Sequence, residues 1–245
     1  MDLHIENMYD IDIQTPLDRQ GKPLDYQATI KIIEGKIDTQ CPMIITSDLH
    51  SNTKLVLDYL EKKLEKTKEW TFISAGDMAG NGKKGSNGDA TPNLQWAQGL
   101  FRRIYFVQGN HDLESSITKS MKNSDGTYCH ISRRIQEIEE LGYIAGIDGI
   151  MSTKKKLHRI SPKEYFREIK RLTKEKLEWL ITHEVPCIPS ISKQKKGSSE
   201  LAKIVIENNV KHHVFGHCYF PHWHGTIKNS RFLAVDGRVL LLRPI

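Results

Sequence analysis

Five short polar motifs carry the residues of this 245-residue chain that are able to do chemistry: Asp48-Leu49-His50, Gly76-Asp77, Gly109-Asn110-His111-Asp112, Thr182-His183-Glu184 and Gly216-His217. Their side chains are carboxylates, imidazoles and a carboxamide, the mixed oxygen and nitrogen donors that suit Mn, Fe, Zn or Ni. Such a set supports metal-assisted hydrolysis, in which bound ions acidify a water and neutralise developing charge. Taken singly the motifs are weak, because Asp-x-His is common by chance. Asp2-Leu3-His4 is a chance match of this kind, with no apolar run before it and no helical pattern after it. Gly76, Gly109 and Gly216 let the backbone turn sharply where side chains must converge.

The elements that must position these motifs are strands. The run at 43–46 is short and apolar, as in a buried strand, and it ends in the Asp48 motif. Leu55, Val56, Tyr59, Leu60 and Leu64 then recur at helical spacing, which makes strand, polar loop, helix. The unit repeats: a strand at 70–75 ends in Gly76-Asp77, a glycine-rich excursion covers 80–89, and a short helix at 94–101 leads to a strand at 104–107. Open α/β sheets bind ligands outside the carboxyl ends of their strands, which is where the motifs fall.

Further along, Ile131, Ile135, Ile138 and Leu141 fit a helix, while 134–139 and 143–147 around Leu141-Gly142 fit a hairpin, the preferred reading. Ser161-Pro162-Lys163-Glu164 has the form of a capping box with proline in the first turn, so a helix is expected to about Leu172. A second helix is expected after Thr173, leading into a strand at 179–182 that delivers His183. A helix at 201–208 and a strand at 211–215 reach Gly216-His217, and β-like pieces follow at 225–227, 232–235 and 239–242, with Asp236-Gly237 read as a hairpin turn. Residues 1–40 hold turn signals (Thr15-Pro16 and Gly21-Lys22-Pro23) and a β-like patch at 28–33, an extension or edge of a single 1–245 domain.

Composition narrows the function classes. No stretch has the apolar length of a membrane span, and the start has no secretory pattern, so a cytoplasmic protein is expected. Cys41, Cys129, Cys187 and Cys218 are too scattered for a zinc knuckle or a disulfide framework. Lys plus Arg exceed Asp plus Glu by 36 to 30, a net +6 that favours an anionic substrate without proving nucleic-acid binding. The runs Lys154-Lys155-Lys156 and Lys193-Gln194-Lys195-Lys196 read as solvated surface.

Taken in order, the five motifs resemble the calcineurin-like metallophosphoesterase superfamily, from about residue 43 to the C-terminus. The resemblance implies a two-sheet α/β sandwich flanked by helices and a centre of two divalent ions. It implies that Asp48 and His50 hold the first ion, that Asp77 bridges, and that Asn110, His183 and His217 complete the second. It further implies that His111 contacts the phosphate and protonates the leaving oxygen, with Asp112 fixing its orientation. One position departs: the family has Gly-His-x-His where this chain has Gly216-His217-Cys218-Tyr219. Tyr219 as a phenolate ligand, His222 or His224 reaching round, or a first site short of one protein ligand are the alternatives, and the last is expected. His222 and His224 are also candidate substrate contacts, as are Asn87 and Asp89.

The sequence lacks the Gly-Asp-x-x-Asp-Arg-Gly and Gly-Asn-His-Glu of protein phosphatases and has His111 where the lipid A pathway hydrolase has arginine. What the resemblance leaves is a small cap-less phosphoesterase, often active on phosphodiesters, nucleotide-type among them. A fold-only scaffold, favoured by Tyr219, and a nuclease, favoured by the basic balance, are the rival readings.

Overall fold

The computed structural model describes residues 3–13, 20–22, 29–80, 86–191 and 196–245. Thr15, Pro16 and Pro23 of the N-terminal turn signals, residues 81–85 of the glycine-rich excursion and 193–195 of the second basic run lie outside the described residues.

Strands β1 (Leu3–Asp12), β2 (Thr29–Ile37), β3 (Met43–Ser47), β4 (Thr71–Ser74) and β5 (Arg103–Phe106) join β14 (Arg238–Pro244) in one six-stranded sheet, ordered β1-β2-β14-β3-β4-β5. The second sheet has six strands as well. It takes β6 (Ile135–Ile138), β7 (Gly142–Ile147), β10 (Trp179–Thr182), β11 (His212–Phe215), β12 (His224–Ile227) and β13 (Ser230–Ala234), ordered β12-β13-β11-β10-β7-β6. Between β7 and β10 a small parallel pair forms from β8 (Ile150–Met151) and β9 (Arg159–Ile160). Helices α1 (Thr53–Lys63), α2 (Thr91–Leu100), α3 (Ser116–Ser120), α4 (Pro162–Leu172) and α5 (Ser199–Glu207) complete an α/β sandwich.

The apolar strands read as continuous runs because both of their faces are covered. In β3 Ile45 faces the second sheet and packs with Ile73, Tyr105, Ile181 and Val214, while its neighbour Ile44 packs outward with Phe72, Val56 and Leu60. On the far side Leu180 and Phe215 pack with Tyr165, Ile169, Leu201 and Val205 of α4 and α5. Three apolar layers thus separate helix, sheet, sheet and helix. No helix among the described residues is long and apolar enough to cross a membrane.

Parallel pairing is what gathers the site. β3, β4 and β5 run parallel, and so do β7, β10, β11 and β13. Their carboxyl ends, each followed by a polar motif, therefore emerge on one edge of the sandwich. The preferred hairpin forms as β6–β7, and Ser161 caps α4 by accepting from the backbone N–H of Glu164.

Two expectations are corrected. No helix follows Thr173: the N–H of Glu178 donates to Tyr143 and that of His212 to Glu178, so the backbone is tied into the sheet before a further helical turn fits. Asp236-Gly237 turns the chain but makes no hairpin, because β13 pairs with β11 in the second sheet and β14 pairs with β2 and β3 in the first. The turn carries the chain from sheet to sheet. The N-terminal segment also does more than add an edge, since β2 lies inside the sheet between β1 and β14.

Candidate metal centre

Among the described residues nine non-glycine residues have positive φ, and Asp48 (58°), His50 (49°), Asp77 (52°) and His217 (67°) are four of them. Left-handed backbone is uncommon outside glycine, and its concentration at the strand ends marks a functional site. Each residue leaves its strand in a sharp turn that aims the side chain inward. The turns also sit against one another: a Cβ on Gly109 would lie 2.0 Å from Asp77 Oδ1, and one on Gly216 would lie 2.4 Å from Asp48 Oδ2.

The two carboxylates divide their oxygens between scaffold and centre. Asp48 Oδ2 accepts from Ser47 Oγ (2.6 Å) and from the N–H of His217 (2.9 Å). Asp77 Oδ1 accepts from the N–H of His111 (2.8 Å). That leaves Asp48 Oδ1 and Asp77 Oδ2 facing His183 Nε2, at 4.0 and 3.3 Å, with His50 Nε2 4.0 Å from Asp77 Oδ2. Ligand atoms of Asp48, His50 and Asp77 all lie within 4.8 Å of one another. The rings of His183 and His217 are 5.1 Å apart.

These donors fit divalent cations. His183 Nδ1 lies 2.8 Å from the carbonyl of Ala75, an acceptor only, so Nδ1 carries the proton and Nε2 presents a lone pair. Nε2 of His183 and Oδ1 of Asn110 are both buried without a hydrogen-bond partner. Although Nε2 lies 3.3 Å from Asp77 Oδ2, the two are not aligned as a hydrogen bond, which leaves this nitrogen open to a proton or a metal ion. Lone pairs converging in a buried pocket repel unless a cation sits among them.

The electrostatics say the same. Burial works against a charged His183, yet Asp77 and Asp48 outweigh it and lift the imidazolium to about 10. Asp77, buried beside His183 and His50, is held below the carboxylate range in spite of burial. Burial, and then the charge of His183, pushes His217 down to about 4. Positive charge is thus demanded at the centre of the cluster and resisted at its rim.

His111 is half-buried beside the cluster, its ring 5.8 Å from that of His50, and burial lowers its basicity. Asp112 does not orient this ring. Its carboxylate is buried and accepts three backbone N–H groups, from Asp77 (2.8 Å) and Gly109 (2.8 Å) on Oδ2 and Met78 (2.9 Å) on Oδ1. Burial and the charge of Asp77 push it up to about 7. The partner of His111 is Asn87, whose Oδ1 lies 3.1 Å from Nδ1, while Asp89 accepts from the N–H of Thr91 at the start of α2.

The Gly-His-x-Tyr departure has a structural counterpart. Tyr219 is 56% exposed, and its ring lies against the guanidinium of Arg238 at 4.2 Å, directed at a buried cation. His222 is exposed, and His224 lies on edge strand β12 with its ring against Trp223, where burial and then the charge of Arg231 lower its basicity. Neither has a contact with the cluster among the described residues. Burial pushes the Cys218 thiol up to about 11.

Sequence reasoning missed Asn87 as a partner, Arg238 and Asp236. Asp236 forms a backbone bridge with Ser47, and burial and the charge of Asp48 push its carboxyl well up. The signal was present: Asp236 follows an apolar strand, as Asp48 and Asp77 do, but Asp-Gly reads first as a turn.

Comparison with known proteins agrees with this geometry. Residues 41–218 match the sequence model of the calcineurin-like phosphoesterases. The fold is similar to that of TT1561 of Thermus thermophilus, at 13% identity and a TM-score of 0.59, covering 80% of this chain and 90% of that one. It is also similar to the phosphopantetheinyl hydrolase of Mycobacterium tuberculosis, at 14% identity and a TM-score of 0.51, covering 82% of this chain and 91% of that one. No curated protein matches the chain. With the match spanning most of its length, the chain belongs to the calcineurin-like phosphoesterase family.

Proposed function

We propose that the protein is a metal-dependent phosphoester hydrolase of the cytoplasm, acting on small phosphodiesters, nucleotide-type among them. The observation that carries this reading is the approach of the unpartnered His183 Nε2 to the free oxygens of Asp48 and Asp77, with Asn110 Oδ1 likewise buried and unpartnered. Asp48 and His50 would hold one ion, Asn110, His183 and His217 a second, and Asp77 would bridge. When bound, such ions acidify water and neutralise charge on the phosphoryl oxygens.

The chain's own groups do the rest. Asn87 takes the Nδ1 proton of His111, so Nε2 is the atom that gives and recovers a proton at the leaving oxygen. Asp112 binds the two loops that carry Asp77 and Asn110 into one unit. Because Tyr219 lies on Arg238, Asp48, His50 and Asp77 are the residues that would hold the first ion, with water in place of a further protein ligand. That weaker shell is the one feature favouring a scaffold with reduced catalysis.

The test is to strip the protein with chelator, restore Mn²⁺, and compare bis(4-nitrophenyl) phosphate with 4-nitrophenyl phosphate. We expect metal-dependent turnover that favours the diester and falls about 10²–10⁴-fold in His111→Ala, as for a lost general acid. No turnover with Mn²⁺, Fe²⁺, Ni²⁺ or Zn²⁺ would move the scaffold reading to the front. Oligonucleotide binding with a steep salt dependence would instead favour the nuclease.

A further inference from the structure

Beside the metal loops lies a second cleft, of about 450 Å³, that the hydrolytic reading does not use. It is built from the turn after β5, from residues 130–134, and from the loop between β8 and β9. Its floor is Asp148, which accepts from His130 Nε2 (2.9 Å) and from the N–H of Gln108 (2.7 Å). The N–H of Gly149 donates to the carbonyl of Gln108 (2.7 Å), so both backbone polar groups of Gln108 are held. Gln108 immediately precedes Gly109-Asn110-His111. Glu114 and Lys119, which line the other side of the cleft, follow the same loop.

The cleft carries unspent positive charge. Lys119 is ion-paired with Glu114, Arg133 with Glu164 (2.8 Å), and Asp148 is bonded to His130. The guanidinium of Arg159 has no hydrogen-bond or ion-pair partner among the described residues, although arginine has five N–H donors. Arg134 rests on the ring of Tyr128, 3.9 Å from its centroid, and reaches only backbone carbonyls. The exposed basic run Lys154-Lys155-Lys156 precedes the lining residues Leu157, His158 and Arg159 in the chain, and the N–H of Arg159 donates to the carbonyl of Lys156.

A second observation points to a ligand. Nε2 of His158 is buried without a hydrogen-bond partner, and His158 lines the cleft. The residue is held at φ 51°, and a Cβ on Gly149 would fall 1.9 Å from its carbonyl oxygen. Strained backbone and a position open only to glycine hold the unpartnered imidazole nitrogen of His158 next in the chain to the half-exposed guanidinium of Arg159. Arginine with a neutral imidazole donor is a chemistry for phosphate oxygens. The cleft offers no free aromatic face for a base, since the ring of Tyr128 is occupied by Arg134 and Lys122.

We propose that Arg159, His158 and Arg134 form a subsite for a second phosphate group of the substrate, carried a few bonds from the ester that enters the metal centre. The assignment rests on the hydrolase reading and deepens it: the substrate class becomes phosphoesters bearing a further terminal phosphate.

The test compares two esters with one scissile bond, thymidine 5′-(4-nitrophenyl phosphate) and the same compound phosphorylated at the 3′-hydroxyl. The wild type should favour the phosphorylated ester by about tenfold or more in kcat/KM, the scale of one or two charge-assisted contacts. Arg159→Gln, and independently His158→Asn, which tolerates positive φ, should erase that preference while leaving the plain ester within about twofold. Added salt should shrink the preference in the wild type. Equal kcat/KM for the two esters, or a preference that survives Arg159→Gln, would overturn the subsite. If neither ester is hydrolysed, the hydrolase reading fails by itself, and the subsite is read by equilibrium binding of thymidine 3′,5′-bisphosphate to chelator-treated protein. Binding lost in Arg159→Gln supports the subsite, and absent or unchanged binding refutes it. Displacement by inorganic phosphate with no discrimination between the esters would show a free-phosphate site and overturn the substrate assignment.

Discussion

Asp112→Asn should loosen the metal centre without touching a metal ligand. The carboxylate is buried and accepts three backbone N–H groups, two on Oδ2 and one on Oδ1. An asparagine amide has one acceptor oxygen. With that oxygen kept on Asp77 and Gly109, its NH₂ must face the N–H of Met78, donor against donor. Orphaning a buried N–H costs about 1–3 kcal/mol, and weakening two charge-assisted bonds to neutral ones adds ~1 kcal/mol each. The sum is roughly 3–5 kcal/mol, which in a chain of this size lowers Tm by about 6–20 °C. The measurement belongs at pH 8, above the value of about 7 to which burial and Asp77 lift this carboxyl, so that the wild-type group is ionised. Thermal unfolding and Mn²⁺ titration are followed on the same samples. A variant that melts within about 2 °C of wild type and binds Mn²⁺ equally well would refute the role given to Asp112.

Two further expectations follow from the same contacts. Tyr219→Phe should leave metal content and activity near wild type, because both the ring and the hydroxyl of Tyr219 are engaged by Arg238 rather than by the cluster; loss of metal measured by atomic emission would make the phenol a ligand after all. His212 and His213 are buried in β11, and burial pushes both down to about 3, so between that value and the ordinary 6.5 only the unfolded chain takes up their protons. Each therefore makes stability fall as pH drops below about 6.5, by up to ~1.4 kcal/mol per pH unit. His212→Phe, which keeps a ring against Trp179, should flatten urea unfolding free energies between pH 6.5 and 4.5; an unchanged slope would contradict this.

The strand ends were legible in the sequence because strands covered on both faces lose their polar alternation and read as short apolar runs. Each run stops abruptly at a polar motif, so Asp48, Asp77, Asn110, His183 and His217 could be placed together before any coordinates. The role of Asp112 was not legible, since its partners are backbone amides of residues 77, 78 and 109, which no pattern of side chains encodes. Asp236-Gly237 misled for a related reason: a turn dipeptide fixes local backbone direction but not which sheet the next strand joins. The stacking of Tyr219 on Arg238 joins residues far enough apart in sequence that only the fold brings them together.

The central claim is that the Asp48, His50, Asp77, Asn110, His183 and His217 cluster is a divalent-metal centre that hydrolyses phosphoesters. The most direct measurement is metal stoichiometry after chelation and Mn²⁺ reloading, wild type beside Asp77→Ala, with bis(4-nitrophenyl) phosphate turnover read on the same samples. The account predicts bound Mn²⁺ and turnover in the wild type and the loss of both in the variant. Wild-type metal content in Asp77→Ala, or turnover that survives the loss of metal, would contradict it.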